Sequence, residues 1–333
     1  MREAMLWKKG EGNSVNCFLC NRKCTIPEGK RGFCRVRENQ GGTLYSLVYG
    51  KAVSYTIDPI EKKPFYHFMP GTSCFSFATV GCNFRCEHCQ NWGISQPEKI
   101  FGEDLPPEKL VEMAKRSSGI AYTYTEPTIF FEYAKDTAEL ARPQGLYNVF
   151  VTNGYMTSEA VKEMGFLDAS RIDLKAFTDE FYVKVCGGAH LEPVLNSIKL
   201  LHKRMHVELI TLLIPTLNDS EDELRALSKW VRDVSPDIPL HFTAYYPAHK
   251  MTLPPTPLET LEKARKIAME EGVRFVYTGN IPGAPGENTY CPNCGELLIK
   301  RIGFGISENK LTGKNTCPEC GEKIPVVTEL KKS

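Results

Sequence analysis

Between residues 74 and 278 the hydrophobic pattern changes period repeatedly. Short runs that are apolar at nearly every position, the mark of strands buried on both faces, alternate with stretches whose apolar residues return every third or fourth position. The pattern predicts strands over 74–80, 120–125, 147–152, 171–175, 207–214, 240–246 and 273–277. Helices are predicted over 107–116, 128–141, 159–164, 191–203, 221–234 and 257–271, with Leu224, Leu227 and Val231 forming one apolar stripe. Strand and helix in alternation imply an α/β fold with a parallel sheet. Seven such units fall one short of a closed (β/α)8 barrel, so the expected fold is a partial (β/α)6-7 TIM-like barrel, with a doubly wound sheet as the alternative.

The flanks read differently. Tyr45, Leu47 and Tyr49, then Val53, Tyr55 and Ile57, recur at period two on either side of Gly50 and Lys51, which predicts a hairpin. Pro59 and Pro64 make residues 58–64 a rigid connector without helix, and the aromatic stretch 65–69 is expected to pack over the barrel end, with His67 in a structural role. Residues 281–286 carry two prolines and two glycines and read as a hinge. The expected organisation is therefore a Cys-rich metal-binding segment with a hairpin over 1–73, the partial barrel over 74–280 and a zinc ribbon over 281–333.

Composition narrows the class. Of 333 residues, 42% are hydrophobic, ample for a core, and 41 basic against 40 acidic residues leave a net charge of +1, which gives nucleic-acid binding no support. The chain has no run of about 18 apolar residues and no signal-peptide pattern near Met1, so a cytoplasmic protein away from membranes is expected. Thirteen cysteines, most in tight clusters, point to metal rather than disulfides in such a compartment.

Three clusters differ in spacing. Cys17, Cys20, Cys24 and Cys34 form a knot too short to bury much apolar surface, so metal would supply its folding energy. Zinc is its favoured occupant, with an auxiliary iron–sulfur cluster or free thiols as alternatives. Cys291 and Cys294, then Cys317 and Cys320, repeat one Cys-Pro-x-Cys-Gly knuckle and predict a four-thiolate zinc ribbon. Between them, Cys82, Cys86 and Cys89 follow directly on the first strand of the barrel. Three thiolates leave one iron of a [4Fe-4S] cluster free for a ligand that is not protein, whereas the same cysteines with His88 could instead bind zinc.

Further polar residues stand at the predicted strand ends, where such sheets carry chemistry. They are Tyr124, Thr125 and Glu126 before Pro127, then Thr152, Asn153 and Gly154, then Asp173 with Lys175, and His241 on the strand that runs to Tyr246. Each has a plainer reading: Glu126-Pro127 as a helix start, Thr152-Asn153-Gly154 as a turn, Asp173 and Lys175 as an internal ion pair.

The Cys82-x3-Cys86-x2-Cys89 loop with Asn91 and Trp92 resembles the radical SAM superfamily, most closely its activating-enzyme-like members. That resemblance implies a [4Fe-4S] cluster on Cys82, Cys86 and Cys89 that binds S-adenosylmethionine (SAM) at its open iron, with reductive cleavage to a 5′-deoxyadenosyl radical that abstracts hydrogen from substrate. It also implies an oxidoreductase supplied by a ferredoxin- or flavodoxin-type electron donor. Tyr124, Thr125 and Glu126 stand where relatives have Gly-Gly-Glu-Pro beside the SAM amino group, with both glycines replaced. Thr152 and Asn153 match a segment near the ribose, and Asp173 and Lys175 match a pair near ribose and carboxylate, while Val151 stands where some relatives have an acid. The order of motifs, including 245–251 and 277–283, is similar to the AmmeMemoRadiSam-system radical SAM enzymes, often called pyruvate formate-lyase activating enzyme homologues. That subfamily implies Memo-like and Amme-like partner proteins and leaves a glycyl-radical activase, or an inactive metal-stabilised binding module, as alternative functions.

Overall fold

The structure is a computed structural model that describes residues 1–281 and 283–330; Pro282 of the expected hinge and residues 331–333 of the expected ribbon lie outside them. One eight-stranded sheet organises the chain. In order across the sheet its strands are β1 (Ser54–Pro59), β2 (Ser73–Ala78), β3 (Gly119–Tyr122), β4 (Tyr147–Thr152), β5 (Ala169–Asp173), β6 (His206–Leu213), β7 (Leu240–Ala244) and β8 (Val276–Gly279). β2 to β8 run parallel, each beside its successor, and β1 joins antiparallel to β2 with Tyr55 opposite Phe77. β1 and β8 are not paired with each other, so the sheet is open.

Alternation along each strand divides two layers. On β4, Phe150 joins the cluster under the helices, whereas Tyr147, Val149 and Val151 face the other side, where Phe65 and Phe68 cover them. The helices begin at recognisable caps: Thr157 accepts from the Ala160 amide ahead of Ser158–Lys162, and Ser220 accepts from the Glu223 amide ahead of Glu221–Val234.

The second layer is a plug built around one carboxylate. Glu208 on β6 is fully buried and accepts from the backbone amides of Tyr66 and His67, and from the rings of His206 and His241. The two amide bonds fix residues 65–69 inside the sheet while the His206 and His241 rings hold the carboxylate, and the C-terminal unit is then laid on them. Val327 donates to the His67 carbonyl, Met69 donates to the Val327 carbonyl, and the Arg301 guanidinium lies 4.0 Å over the Tyr66 ring while donating to the Tyr66 carbonyl. Tyr66, Phe275 and Tyr277 share one apolar cluster with Cys291, Cys317, Leu298 and Ile299 of the ribbon. The ribbon thus covers the β8 side of the open sheet.

Several expectations are corrected. Residues 43–57 do not form a hairpin: Thr43–Ser46 pairs with Arg37–Gln40 and Arg2–Glu3, Lys51–Ala52 pairs with Glu103–Asp104, and Ser54–Pro59 becomes the sheet edge. Period-two patterning marks strands but not their partners. The connector holds one helical turn, Ile60–Lys62, which starts after Pro59. Asp179–Val185 is a helix the apolar periodicity does not reveal. Strands β3 and β7 stop earlier than expected because Tyr124 turns the chain at a φ of 64° and because Tyr245 bonds Thr256 instead of a neighbouring strand.

His67 supplies a test. Its ring bonds the Tyr277 hydroxyl at 2.6 Å, and burial pushes its pKa down to about 3. Below the ordinary histidine value the unfolded chain binds a proton that the folded one does not, so stability falls with pH until the folded value is reached. Between pH 6.5 and pH 5 this residue should contribute a loss of about 1.5 kcal/mol. Urea unfolding at the two pH values should show a loss smaller by about that amount in His67→Phe than in the native chain, since other buried rings such as His88 contribute to both; equal losses in both would contradict the assignment.

Candidate functional site

The carboxyl ends of β2 to β5 converge on the Cys82–Cys89 loop. Gly81 makes its start possible: its φ is 101°, and a Cβ there would lie 2.5 Å from Val36 Cγ1 and 3.0 Å from the Cys34 carbonyl. The loop is then tied from three directions. Arg85 and Glu87 donate backbone N–H groups to the carbonyls of Cys186 and Val185, the Gly81 amide donates to Ile94, and the Arg85 guanidinium donates to the carbonyls of Cys82, Phe84 and Phe33. Asn91, just past the last cysteine, donates from Nδ2 to the Tyr124 carbonyl at 2.8 Å.

Behind the loop, two successive turns are locked by Glu126. Its carboxylate accepts from the Thr128 amide and hydroxyl, from the Thr152 hydroxyl at 2.6 Å and from the Asn153 amide at 2.8 Å. Burial nevertheless pushes its pKa up. Asn153 carries the connection forward by donating to Asn83 Oδ1 at 2.7 Å, inside the cysteine loop. The plain reading of Glu126-Pro127 as a helix start holds as well, since Glu126 caps the turn Pro127–Phe130.

A cavity of about 470 Å³ opens at this rim, lined by eleven of the residues singled out there, Cys82, Cys86, Cys89, Tyr124, Thr125, Glu126, Thr152, Asn153, Asp173, Lys175 and His241, but not by Gly154. Their side chains are not equally free. Thr125 donates to the Thr79 carbonyl, and Glu126 and Thr152 bond each other. Asp173 is paired with Lys175 at 2.9 Å and with Arg171, so the internal ion pair exists, but on the cavity wall. His241 is not on the carboxyl rim. It is the second residue of β7, bonded to Glu208 at 2.8 Å and stacked on Tyr277, and it floors the cavity from the plug.

The replaced glycines have a structural counterpart. Tyr124 adopts the left-handed backbone that a glycine would favour, and its hydroxyl donates to Asp58, which also pairs with the buried Lys63 at 2.6 Å. Burial of Asp58 acts the other way, yet hydrogen bonds from Lys62, Lys63 and Tyr124 hold its carboxyl well below the ordinary range. Asp58, Lys63, Arg171 and Glu208 were not singled out from the sequence. The readable signal was a charge within an otherwise apolar strand, as at Arg171 and Glu208. Cys186, buried beside Cys86, carried no such signal.

The donor sets fit different metals. Burial, with Glu126 and the neighbouring cysteines, pushes the Cys82 thiol well up; the Cys186 thiol and burial do the same to Cys86, and burial raises Cys89. Thiols so placed ionise only against a metal. Cys82, Cys86, Cys89 and His88 do not meet in a tetrahedral site, because among the described residues only Cys291, Cys294, Cys317 and Cys320 bring three or more ligand atoms within 4.8 Å of one another. The three-thiol set therefore suits a polynuclear centre with its irons spread apart. In the ribbon, Cys291 and Cys320, like Cys294 and Cys317, lie 3.6 Å apart, close to the ~3.8 Å expected for two sulfurs on one tetrahedral zinc.

Gly81 should be intolerant of substitution. Gly81→Ala is expected to cost at least about 2 kcal/mol from backbone strain and the Val36 clash, and Val36→Ala in the same chain should restore only part of it. Thermal unfolding of both variants checks this; an unchanged midpoint in Gly81→Ala would contradict the packing described.

The Radical SAM superfamily profile matches residues 77–227, which span β3 to β6 and the cysteine loop. An uncharacterized protein of Methanocaldococcus jannaschii is 50% identical over 98% of this chain and 100% of its own length. The pyruvate formate-lyase-activating enzyme of Clostridium pasteurianum is 22% identical over 46% of this chain and 67% of its own. The pyruvate formate-lyase 1-activating enzyme of Escherichia coli K12 is 21% identical over 62% of this chain and 93% of its own. Among the described residues no helix is long and apolar enough to cross a membrane. Cysteine loop, parallel sheet and relatives agree: the chain belongs to the radical SAM superfamily and is an enzyme related to its activating enzymes.

Proposed function

We propose that Cys82, Cys86 and Cys89 hold a [4Fe-4S] cluster whose fourth iron binds SAM, and that the cavity beside them receives SAM and a substrate. The observation that carries this reading is the cavity itself, since one buried and two half-buried thiols open onto it together with the polar groups at the ends of β3, β4 and β5. A reduced cluster supplies the electron that splits SAM into methionine and a 5′-deoxyadenosyl radical, which takes hydrogen from substrate.

The chain's own residues would do the rest. Asn91 and Glu126 fix the backbone of Tyr124 and Thr125 at one end of the SAM space, and Asp173 with Lys175 offers a charged pair to ribose and carboxylate at the other. His88, with burial pushing its ring down to about 3 and its Nδ1 unpaired, stays neutral beside the cluster loop. A partial barrel is the corresponding description of the open sheet, the ribbon carries zinc, and the reductant is of the ferredoxin or flavodoxin type.

The substrate side is walled by Glu61, Lys62 and Lys63 of the connector, by Tyr66 of the plug and by Glu287 and Phe304 of the ribbon, while the N-terminal knot lies off the cavity. This wall favours a compact substrate held between plug and ribbon. The names of the Clostridium and Escherichia relatives support the alternative of a glycyl-radical activase, and Memo-like and Amme-like partners follow from the subfamily resemblance alone.

Anaerobically reconstituted, dithionite-reduced protein should release 5′-deoxyadenosine from SAM without added substrate, and Cys82→Ala, Cys86→Ala, Cys89→Ala combined should release none. Turnover by that triple variant would show that cleavage does not depend on these three thiols and overturn their assignment, and silence from an iron-loaded native chain would favour a binding module.

A further inference from the structure

We propose that Cys17, Cys20, Cys24 and Cys34 hold a second [4Fe-4S] cluster, packed against the loop of the first, and not the zinc ion that their spacing suggests.

All four thiols line one cavity, so they face a common centre. Yet no three of them lie within 4.8 Å of one another, whereas the four ribbon thiols of the same chain do. A single zinc with bonds of about 2.3 Å draws its sulfurs to roughly 3.8 Å apart, which is the ribbon's geometry. A cube binds each thiolate at a separate iron on its outside, which spreads the sulfurs to on the order of 6 Å. The knot lacks the ribbon's close spacing, as a cube requires. Protein contacts also tie the knot to the turn after β4: Asn21 donates to the carbonyls of Tyr155 and Met156, and the Thr157 hydroxyl donates to the Phe18 carbonyl.

The walls suit an iron–sulfur centre. Leu19, Ile26 and Ile129 supply an apolar shell that keeps water away. The Phe33 amide donates to Cys24 Sγ at 3.5 Å and the buried Arg37 guanidinium to Cys17 Sγ at 3.6 Å; such bonds, with the positive charge of Arg22 on the same cavity, favour the more negative reduced state. Zinc has no such state to stabilise.

The two centres would be neighbours in contact. Arg22 donates from Nε to the Asn83 carbonyl at 2.8 Å, Arg85 donates to the Phe33 carbonyl, and both guanidinium groups stack on Phe33, next to Cys34. The close approach at Gly81 brings the Cys34 carbonyl against the residue before Cys82. The inference shares this setting with the proposed function but does not require it.

The test is metal content and spin count after anaerobic reconstitution, desalting and dithionite reduction. The native chain should hold about eight iron and one zinc, and the Cys82→Ala, Cys86→Ala, Cys89→Ala variant about four iron, one zinc and one unpaired spin with [4Fe-4S] Mössbauer parameters. A native chain with about four iron, all lost in the triple variant together with a zinc content of about two, overturns the second cluster and leaves the first standing. About four iron in both chains supports the second cluster and removes the first. The comparison needs no variant in the knot, so a misfolded knot cannot mask the answer.

Discussion

The buried carboxylate of Glu126 is the joint on which the candidate site depends. It has no cationic partner; four neutral donors from two consecutive strand-to-helix turns surround it instead. Losing the oxygens would strand several buried donors at once, each costing about 1–3 kcal/mol. Because one of those donors belongs to Asn153, which reaches Asn83, the geometry of the β3 and β4 ends is passed to the cysteine loop through a chain of short hydrogen bonds. Glu208 does the equivalent work below, where it fixes the plug that floors the cavity and seats the ribbon.

Three cysteine groups in one chain follow two geometries, and the difference comes from what holds each backbone. The ribbon thiols sit on two tight knuckles that close on each other at 3.6 Å. The knot and the rim loop are braced by the sheet and by each other, through Arg22, Arg85 and the glycine at 81, and neither brings three sulfurs as close as the ribbon does. A mononuclear ion fits the first arrangement and a polynuclear one the other two.

Strand-and-helix alternation was legible because seven strands buried on both faces read as uninterrupted apolar runs, and the rim residues were legible because polar groups end those runs. What pairs with what was not. The period of Tyr45, Leu47 and Tyr49 marks a strand, but its partner is Arg37–Gln40, a register set by tertiary packing. The place of His241 was misread because a polar residue on a barrel strand was taken to face the carboxyl rim, although His241 is the second residue of its strand and turns to Glu208 of the plug. Glu208 and Arg171 stood in plain view as charges in apolar strands, yet only the fold reveals that one anchors the plug and the other braces Asp173. Sulfur-to-sulfur spacing within the knot is beyond sequence altogether, since Cys-x2-Cys-x3-Cys is compatible with either metal.

The account's central claim is that three thiolates leave one iron of the rim cluster open to SAM. Electron paramagnetic resonance of the reduced protein, with SAM whose methionyl amino nitrogen and carboxylate carry ¹⁵N and ¹³C, tests it most directly. The account predicts that SAM shifts the cluster spectrum and that both labels show hyperfine coupling to it. A spectrum unchanged by SAM, with neither label coupled, would contradict it.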